Sequence, residues 1–261
     1  GTPEAIYVPV RPGCVFQPYR IERTSAAARA AELASAFDMA AAEFRVPPEL
    51  LRAIGYVESG WVPLMPDSDP DAKEPEFGYR GLTAGQLEQG ARLANVTVDQ
   101  AKAGMRANIR AAAALLSAHA DSLGIGRNDL RAWAPAVAEF SALKDAATRG
   151  AYVWEGVYGV LERGAYLHGS FGDSGAFLPP SPPRGSRELP EARPDPGPDY
   201  PPAAWRPALF LSPRPRGGAG RVVFIVIHTC EGNYYSCIDW FRDPANSYRT
   251  RAHYVVSRRG P

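Results

Sequence analysis

The chain has 261 residues, which is enough for about two domains, and its hydrophobic content of 45% is ordinary for a globular protein. Its 29 lysines and arginines nearly balance 28 aspartates and glutamates, so the net charge of +1 gives no indication of binding to nucleic acid or to an anionic membrane. No stretch of the sequence approaches the roughly 20 consecutive apolar residues of a membrane span.

The first part of the chain predicts an extended segment followed by helices. Residues 1–22 contain several prolines and are assigned to an extended N-terminal segment. Residues 25–44 are rich in alanine and predict a helix, whose apolar stripe consists of Leu33, Phe37, Met39 and Ala40. A second helix is predicted to begin at Pro47-Pro48 and to run through Glu58, because proline in the first turn of a helix loses no hydrogen bond.

Capping signals and proline positions predict the remaining helices. Two capping boxes, Thr83 with Gln86 and Thr97 with Gln100, mark two helix starts. Further helices are predicted over residues 105–123, over residues 129–143 with a kink or restart at Pro135, and over residues 151–163. We therefore assign residues 23–167 to one helical domain.

The composition changes after this domain. Residues 168–219 are rich in proline, glycine and serine and are assigned to a linker. Residues 222–230 combine β-branched and aromatic side chains and predict a buried strand, with His228 close to its end. A helix over residues 235–242 and a second strand over residues 253–257 follow. The expected fold class is α+β, with a mainly helical domain, the linker, and an α/β segment over residues 220–261.

The C-terminal segment resembles the start of the type 2 N-acetylmuramoyl-L-alanine amidase family, whose fold is shared with phage amidases and peptidoglycan recognition proteins. The residues that carry the resemblance are Ile227-His228-Thr229-Cys230-Glu231-Gly232, Trp240-Phe241-x-x-Pro244 and Ala252-His253-Tyr254-Val255-Val256. The resemblance implies that His228 is a zinc ligand and that His253 is not. The family takes its other ligands from further downstream, so we expect them beyond Pro261 and regard the amidase portion as incomplete. Without the surrounding match, His228 would be read as an ordinary strand-end histidine.

The cysteines leave their pairing open. Cys230 and Cys237 are close in sequence, and peptidoglycan recognition proteins carry a bridge of similar spacing in this region, so a disulfide is one reading and two unlinked thiols are the other. Cys14 has no visible partner. It is either free or paired with a residue after Pro261.

The helical domain carries a second resemblance. Tyr56-Val57-Glu58-Ser59-Gly60-Trp61 resembles the catalytic segment of soluble lytic transglycosylases and goose-type lysozymes. The resemblance implies that Glu58 is the general acid and base, a role that needs a carboxyl whose pKa is raised by burial against aromatic surface. The alternative is that Glu58 is a surface residue at a helix end.

The same resemblance suggests residues that contact the glycan. Trp61 follows the glutamate, Tyr79 lies in the segment that matches the family's Gly-Leu-Met-Gln motif, and Phe140-Ser141 takes the place of the Tyr-Asn pair that holds the substrate and the glutamate. We therefore name Trp61, Tyr79, Phe140 and Ser141 as candidate substrate-binding residues. Phe140 and Ser141 depart from the family's residue types, which argues for a degenerate lysozyme-like domain.

The two resemblances together imply a peptidoglycan hydrolase. The first expectation is a zinc-dependent amidase that cleaves the bond between muramic acid and L-alanine. The alternatives are a lytic transglycosylase or muramidase that acts through Glu58, and a peptidoglycan-binding module without catalytic activity. The expected partners are the glycan strand and the stem peptide, with no nucleic acid and no membrane span. We expect a secreted or periplasmic monomer associated with the cell wall.

Overall fold

The computed structural model describes residues 26–62, 76–78, 81–168, 174–181, 206, 208–209, 233–246, 252 and 254–256. Helices account for 68% of the residues that can be interpreted, and two antiparallel two-stranded sheets accompany them, which confirms the coarse α+β class. None of the helices in these ranges has the length and apolar character that crossing a membrane requires.

The first two helices pack their apolar faces into the common core. Helix α1 covers Ala26–Phe44 and α2 covers Pro48–Ser59, close to the predicted bounds. Leu33, Phe37 and Ala40 of α1 are buried at helical spacing, as expected. Met39, by contrast, is 59% exposed. Its assignment to the stripe is wrong because Met39 lies two positions after Phe37, and residues two apart on a helix point in different directions.

The two predicted capping boxes are confirmed, and each opens a helix. Helix α3 (Ala84–Leu93) begins after Thr83 and α4 (Val98–Ala103) begins after Thr97. In both cases the threonine side chain accepts from the backbone N–H three residues later, and the glutamine at that position bonds back to the threonine N–H. A short ladder of β1 (Glu76–Phe77) with β2 (Leu82–Thr83) precedes α3.

Helix α5 (Met105–Ser122) passes through the centre of the helical part, and residues 111–117 are all buried. Alanines dominate this stretch, which allows neighbouring helices to approach closely. At the crossing with α3, a Cβ added to Gly90 would lie 2.6 Å from the carbonyl oxygen of Ala111. Glycine is therefore required at this position for the observed packing.

The predicted helix over residues 129–143 is divided at the expected place. A 3-10 turn covers Leu130–Trp133, and α6 (Ala134–Phe140) begins one residue before Pro135. The Asp129 side chain accepts from the N–H of Arg131 and caps the turn at 2.9 Å. The restart at Pro135 follows because proline fits the first turn of a helix and not its interior.

The last helix of the helical part differs from its prediction. Helix α7 (Ala146–Ala151) leads directly into a π-helical segment, Tyr152–Val157, which leads into α8 (Tyr158–Arg163). The 3.6-residue period of the sequence does not distinguish a π segment from an α-helix. Such segments are rare and frequently occur at functional sites.

A hairpin follows α8 at the predicted boundary between the helical domain and the linker. Strand β3 (Ala165–His168) pairs with β4 (Ser174–Leu178) in antiparallel register, with an irregularity between Ala165 and Tyr166. Phe177 and Leu178 of β4 are buried in the core of the helical part. The division of the chain into domains stays a prediction, but Ser174–Leu178, which was assigned to the linker, forms a strand whose last two residues are packed.

Helix α9 covers Tyr234–Arg242 and ends at Asp243, which confirms the helix predicted over residues 235–242. The predicted strand over residues 253–257 is not formed by its described members: Tyr254, Val255 and Val256 have no ladder partner among the described residues, and Val256 is 84% exposed. The strand predicted over residues 222–230 lies outside the described residues.

Candidate functional site

Glu58 lies on the buried face of α2. Leu51 and Ile54 precede it at helical spacing and are fully buried, so the carboxylate points the same way as this apolar stripe. The helix ends immediately afterwards because Gly60 adopts a left-handed conformation with φ of 64°. Glu58 is only 7% exposed, and the alternative of a surface residue at a helix end is therefore wrong.

Both carboxylate oxygens of Glu58 have protein partners. The hydroxyl of Tyr152, which is fully buried at the start of the π segment, is hydrogen-bonded to Oε1. The side-chain amide of Asn233 donates to Oε2 at 2.6 Å. A buried carboxylate needs such partners, because leaving its oxygens unsatisfied is expensive.

Asn233 has two functions at once. Its Oδ1 accepts from the backbone N–H groups of Tyr235 and Ser236 at 2.8 and 2.9 Å and thereby caps α9. Because only the oxygen of the amide can accept these bonds, Nδ2 must face the other way, and it faces Glu58. The helix cap and the bond to the carboxylate therefore determine the orientation of the same amide group.

Tyr235 packs against the π segment beside Glu58. Its ring meets Tyr152 edge-on at a centroid distance of 5.6 Å. A Cβ added to Gly156 would lie 2.9 Å from a ring carbon of Tyr235, so the ring occupies the space that any side chain at Gly156 would fill. Burial raises the pKa of the Tyr235 hydroxyl, and the neighbouring Glu155 charge raises it further. Tyr235 therefore stays neutral.

A charged cluster holds the far end of α9. Asp239 accepts from the backbone N–H groups of Asp145 and Lys144 at 2.7 and 3.2 Å. The Lys144 ammonium pairs with Asp243 at 2.6 Å and lowers the pKa of that carboxyl. Arg242 pairs with Asp145 at 3.0 Å. We call these five residues the α9 clamp.

The pKa of Asp145 reflects opposing effects. Burial alone would raise it, but the bonds from the backbone and side chain of Thr148, together with the Arg242 charge, lower it. Asp145 thus remains ionised while it caps α7 and pairs with α9. Beyond the clamp, the Leu209 N–H donates to the Phe241 carbonyl at 2.9 Å, and Arg206 pairs with Glu155 at 3.1 Å.

Trp61 lies in the core of the helical part. It is fully buried, its indole N–H donates to the Arg52 carbonyl at 2.9 Å, and its ring contacts Phe177 at a centroid distance of 4.7 Å. Tyr56 also contacts the Trp61 ring, at a centroid distance of 4.9 Å. The role of Trp61 as a sugar contact stays a prediction, but its indole has no exposed surface in this arrangement.

The other candidate glycan contacts are not gathered around Glu58 by any described hydrogen bond. Phe140 is 2% exposed, and its backbone carbonyl accepts from the Gln86 side chain at 2.5 Å. The Ser141 hydroxyl donates to the Ala138 carbonyl at 2.7 Å and accepts from the N–H of Leu143. Tyr79 lies outside the described residues. The substrate-binding roles of these residues stay predictions.

The proposed zinc site also lies outside the described residues, because His228, Cys230 and His253 are not among them. Within the described ranges, no three histidine, cysteine, aspartate or glutamate side chains come together in a way that would hold a metal ion. His119 of α5 is half-buried, and burial lowers the pKa of its imidazole. Cys237 is buried in α9, and its pairing with Cys230 stays a prediction.

Sequence reasoning named Glu58 and missed the residues that surround it. Tyr152 lies in the helix predicted over residues 151–163 and was given no role, and Asn233, just before the helix predicted over residues 235–242, was given none either. For Asn233 a signal existed, since asparagine immediately before a helical stretch is typical of an N-cap. Nothing local indicated that either residue would reach Glu58.

The chain matches no protein-family model, and no curated protein and no solved structure shows a significant similarity to it.

Proposed function

We propose that this chain is part of a zinc-dependent N-acetylmuramoyl-L-alanine amidase, which cleaves the bond between muramic acid and L-alanine in peptidoglycan. The observation that carries the proposal is the position of α9. In the sequence, the helix falls between the two segments, 227–232 and 252–256, that resemble the amidase family, and it ends at Asp243-Pro244, as the proline predicts. The protein would accordingly act outside the cytoplasm, in contact with the cell wall.

In this proposal His228 is one zinc ligand, and the family resemblance implies that the other ligands come from further downstream. Bound zinc would lower the pKa of a water ligand to about 7, which supplies hydroxide near neutral pH. The described residues contribute by positioning. Asn233 follows His228 by five positions in the sequence, and its bond to Glu58 holds the chain at that point.

The test is the metal content and the products of the complete protein. We expect the wild type to bind zinc and to release L-alanine-terminated peptides from muropeptides. His228→Ala should lose both, whereas His119→Ala, in a half-buried helical position, should keep them. Retention of zinc and peptide release by His228→Ala would remove the basis of the assignment.

A second candidate function is cleavage of the glycan strand through Glu58. The observation that favours it is the burial of the Glu58 side chain, which is 7% exposed, because the resemblance implies a buried glutamate as general acid and base. The Tyr152 hydroxyl at Oε1 is able to donate to a carboxylate or to accept from a carboxylic acid. A general acid and base must alternate between these states.

Digestion of isolated sacculi followed by mass spectrometry tests this candidate. Glycan cleavage through Glu58 should yield anhydro ends from a transglycosylase or reducing ends from a muramidase. Glu58→Gln should abolish these products, and Glu43→Gln, which alters an exposed ion pair with Arg110, should not. Equal product from Glu58→Gln and wild type would exclude the mechanism. Sacculi that co-sediment with the protein and remain uncut would identify a binding module instead.

A further inference from the structure

We propose that Glu58 and Tyr152 form an anchoring site for the N-terminal end of α9, so that the helical part of the chain positions the segment that contains His228. Glu58 is then a positioning residue. The positioning part of this inference rests on the proposed amidase function. The anchoring part does not, because it concerns only contacts between described residues.

The first step of the argument is the chemistry of the contact. The Asn233 bond to Glu58 is short, at 2.6 Å, and its acceptor is a buried carboxylate. Hydrogen bonds to charged groups are stronger than neutral ones, and more so away from water. This bond joins residues 175 positions apart, and its donor, Asn233, is the N-cap residue of α9.

The second step is the number of independent contacts that accompany it. Tyr235 fills the space above Gly156 and meets Tyr152 edge-on. The α9 clamp then secures the other end of the helix through Asp239 and Asp243. Both ends of α9 are therefore held by the helical part, and the end nearest to His228 in sequence is held by Glu58.

The third step is what the anchor does to Glu58. In this arrangement Asn233 occupies one carboxylate oxygen and Tyr152 the other, and the residue is 7% exposed. A substrate that used Glu58 would have to displace the Asn233 amide. Anchoring and glycan cleavage are thus mutually exclusive uses of the same carboxylate.

An isosteric exchange tests the anchor. Asn233→Asp keeps the oxygen that caps α9, since aspartate is an equally good cap, but it replaces the donor that faces Glu58 with a second carboxylate. We expect hydrogen-exchange protection of the α9 amides at pH 7.5 to fall by about 30-fold, or about 2 kcal/mol at 1.36 kcal/mol per factor of ten.

The decisive variant is the double exchange. Glu58→Gln combined with Asn233→Asp again places an amide donor opposite a carboxylate acceptor, with the donor now at position 58 and the acceptor at position 233. We expect the double exchange to return the protection of the α9 amides to within about threefold of the wild type. Asn128→Asp, at an exposed asparagine, is the matched control and should leave the α9 amides unaffected. No loss in Asn233→Asp, or no recovery in the double variant, would overturn the anchor.

The positioning role is measured on the complete protein. For Asn233→Asp, we expect the kcat for release of L-alanine peptides to fall by a larger factor than the KM rises. The double variant should recover the kcat. Recovery of α9 protection without recovery of kcat would overturn the positioning role. A wild-type protein that releases no such peptides would instead refute the amidase function, while the exchange experiment would still decide on the anchor.

Discussion

Asp239 offers the sharpest test of how α9 is held. Its carboxylate accepts from two backbone N–H groups just before α7, at 2.7 and 3.2 Å, and the residue is 9% exposed. Asp239→Ala removes both bonds, and at about 1.5 kcal/mol for each bond to a charged group the loss is about 3 kcal/mol. Alanine is the better helix former by about 0.6 kcal/mol, so we expect a net loss of about 2.4 kcal/mol.

Hydrogen exchange measured by mass spectrometry gives the loss of stability of α9 separately from that of the rest of the chain. A loss of about 2.4 kcal/mol corresponds to an exchange rate about 60-fold faster for the α9 amides. The amides of α5, at the centre of the helical part, should change little, because α9 can separate before the core unfolds. Asp239→Asn keeps one acceptor and should show a smaller effect.

Asp38→Ala is the control for this experiment. Asp38 pairs with Arg52 at 2.6 Å, but its side chain is 56% exposed, and exposed ion pairs contribute less than about 1 kcal/mol. The reasoning would be refuted if Asp239→Ala left α9 exchange within threefold of the wild type. It would also be refuted if α5 and α9 lost protection equally, since the helix would then not be a separately held element.

Three further predictions concern the same contacts and the caps. Gln86→Ala should lower the free energy of unfolding in urea by about 1 kcal/mol more than Gln100→Ala, because both complete capping boxes but only Gln86 also donates to a carbonyl of α6; equal losses would contradict this. Gly156→Ala should speed hydrogen exchange of the α9 amides, because the added Cβ would lie 2.9 Å from a ring carbon of Tyr235. A Cβ added at Gly150 meets no atom within 4 Å, so Gly150→Ala should leave this exchange unchanged. The hydrogen bond from Lys144 is the main cause that lowers the pKa of Asp243 below its ordinary value of 3.8. The contribution of ionised Asp243 to the stability of the fold is therefore complete above pH 3.8 and is lost as the pH falls through the lowered pKa. Unfolding free energies of the wild type and Asp243→Asn should therefore converge only below pH 3.8, and convergence at higher pH would show that the lysine pair does not stabilise the fold.

Local hydrogen bonding explains which elements were predictable. Thr83 with Gln86 and Thr97 with Gln100 carry their own partners within three residues, so the boxes form as the sequence indicates. The helix at Pro48 and the restart near Pro135 follow from the fixed geometry of proline. These signals need no knowledge of the rest of the chain.

Elements that depend on neighbours were missed. The π segment Tyr152–Val157 and the hairpin of β3 with β4 have no distinctive local pattern. Phe177 looked like part of a linker, yet it packs on Phe37 and Trp61. Burial of this kind is determined by which surfaces meet, and periodicity describes only the surface of one element.

For the candidate site, the sequence by itself determined that Glu58 lies near the end of a helix and that a later helix covers residues 235–242. Only the tertiary structure decided that Glu58 meets Tyr152, 94 positions away, and Asn233, 175 positions away. The physical reason is that a buried carboxylate requires donors, and the chain supplies them from whichever segments its packing brings within hydrogen-bonding distance.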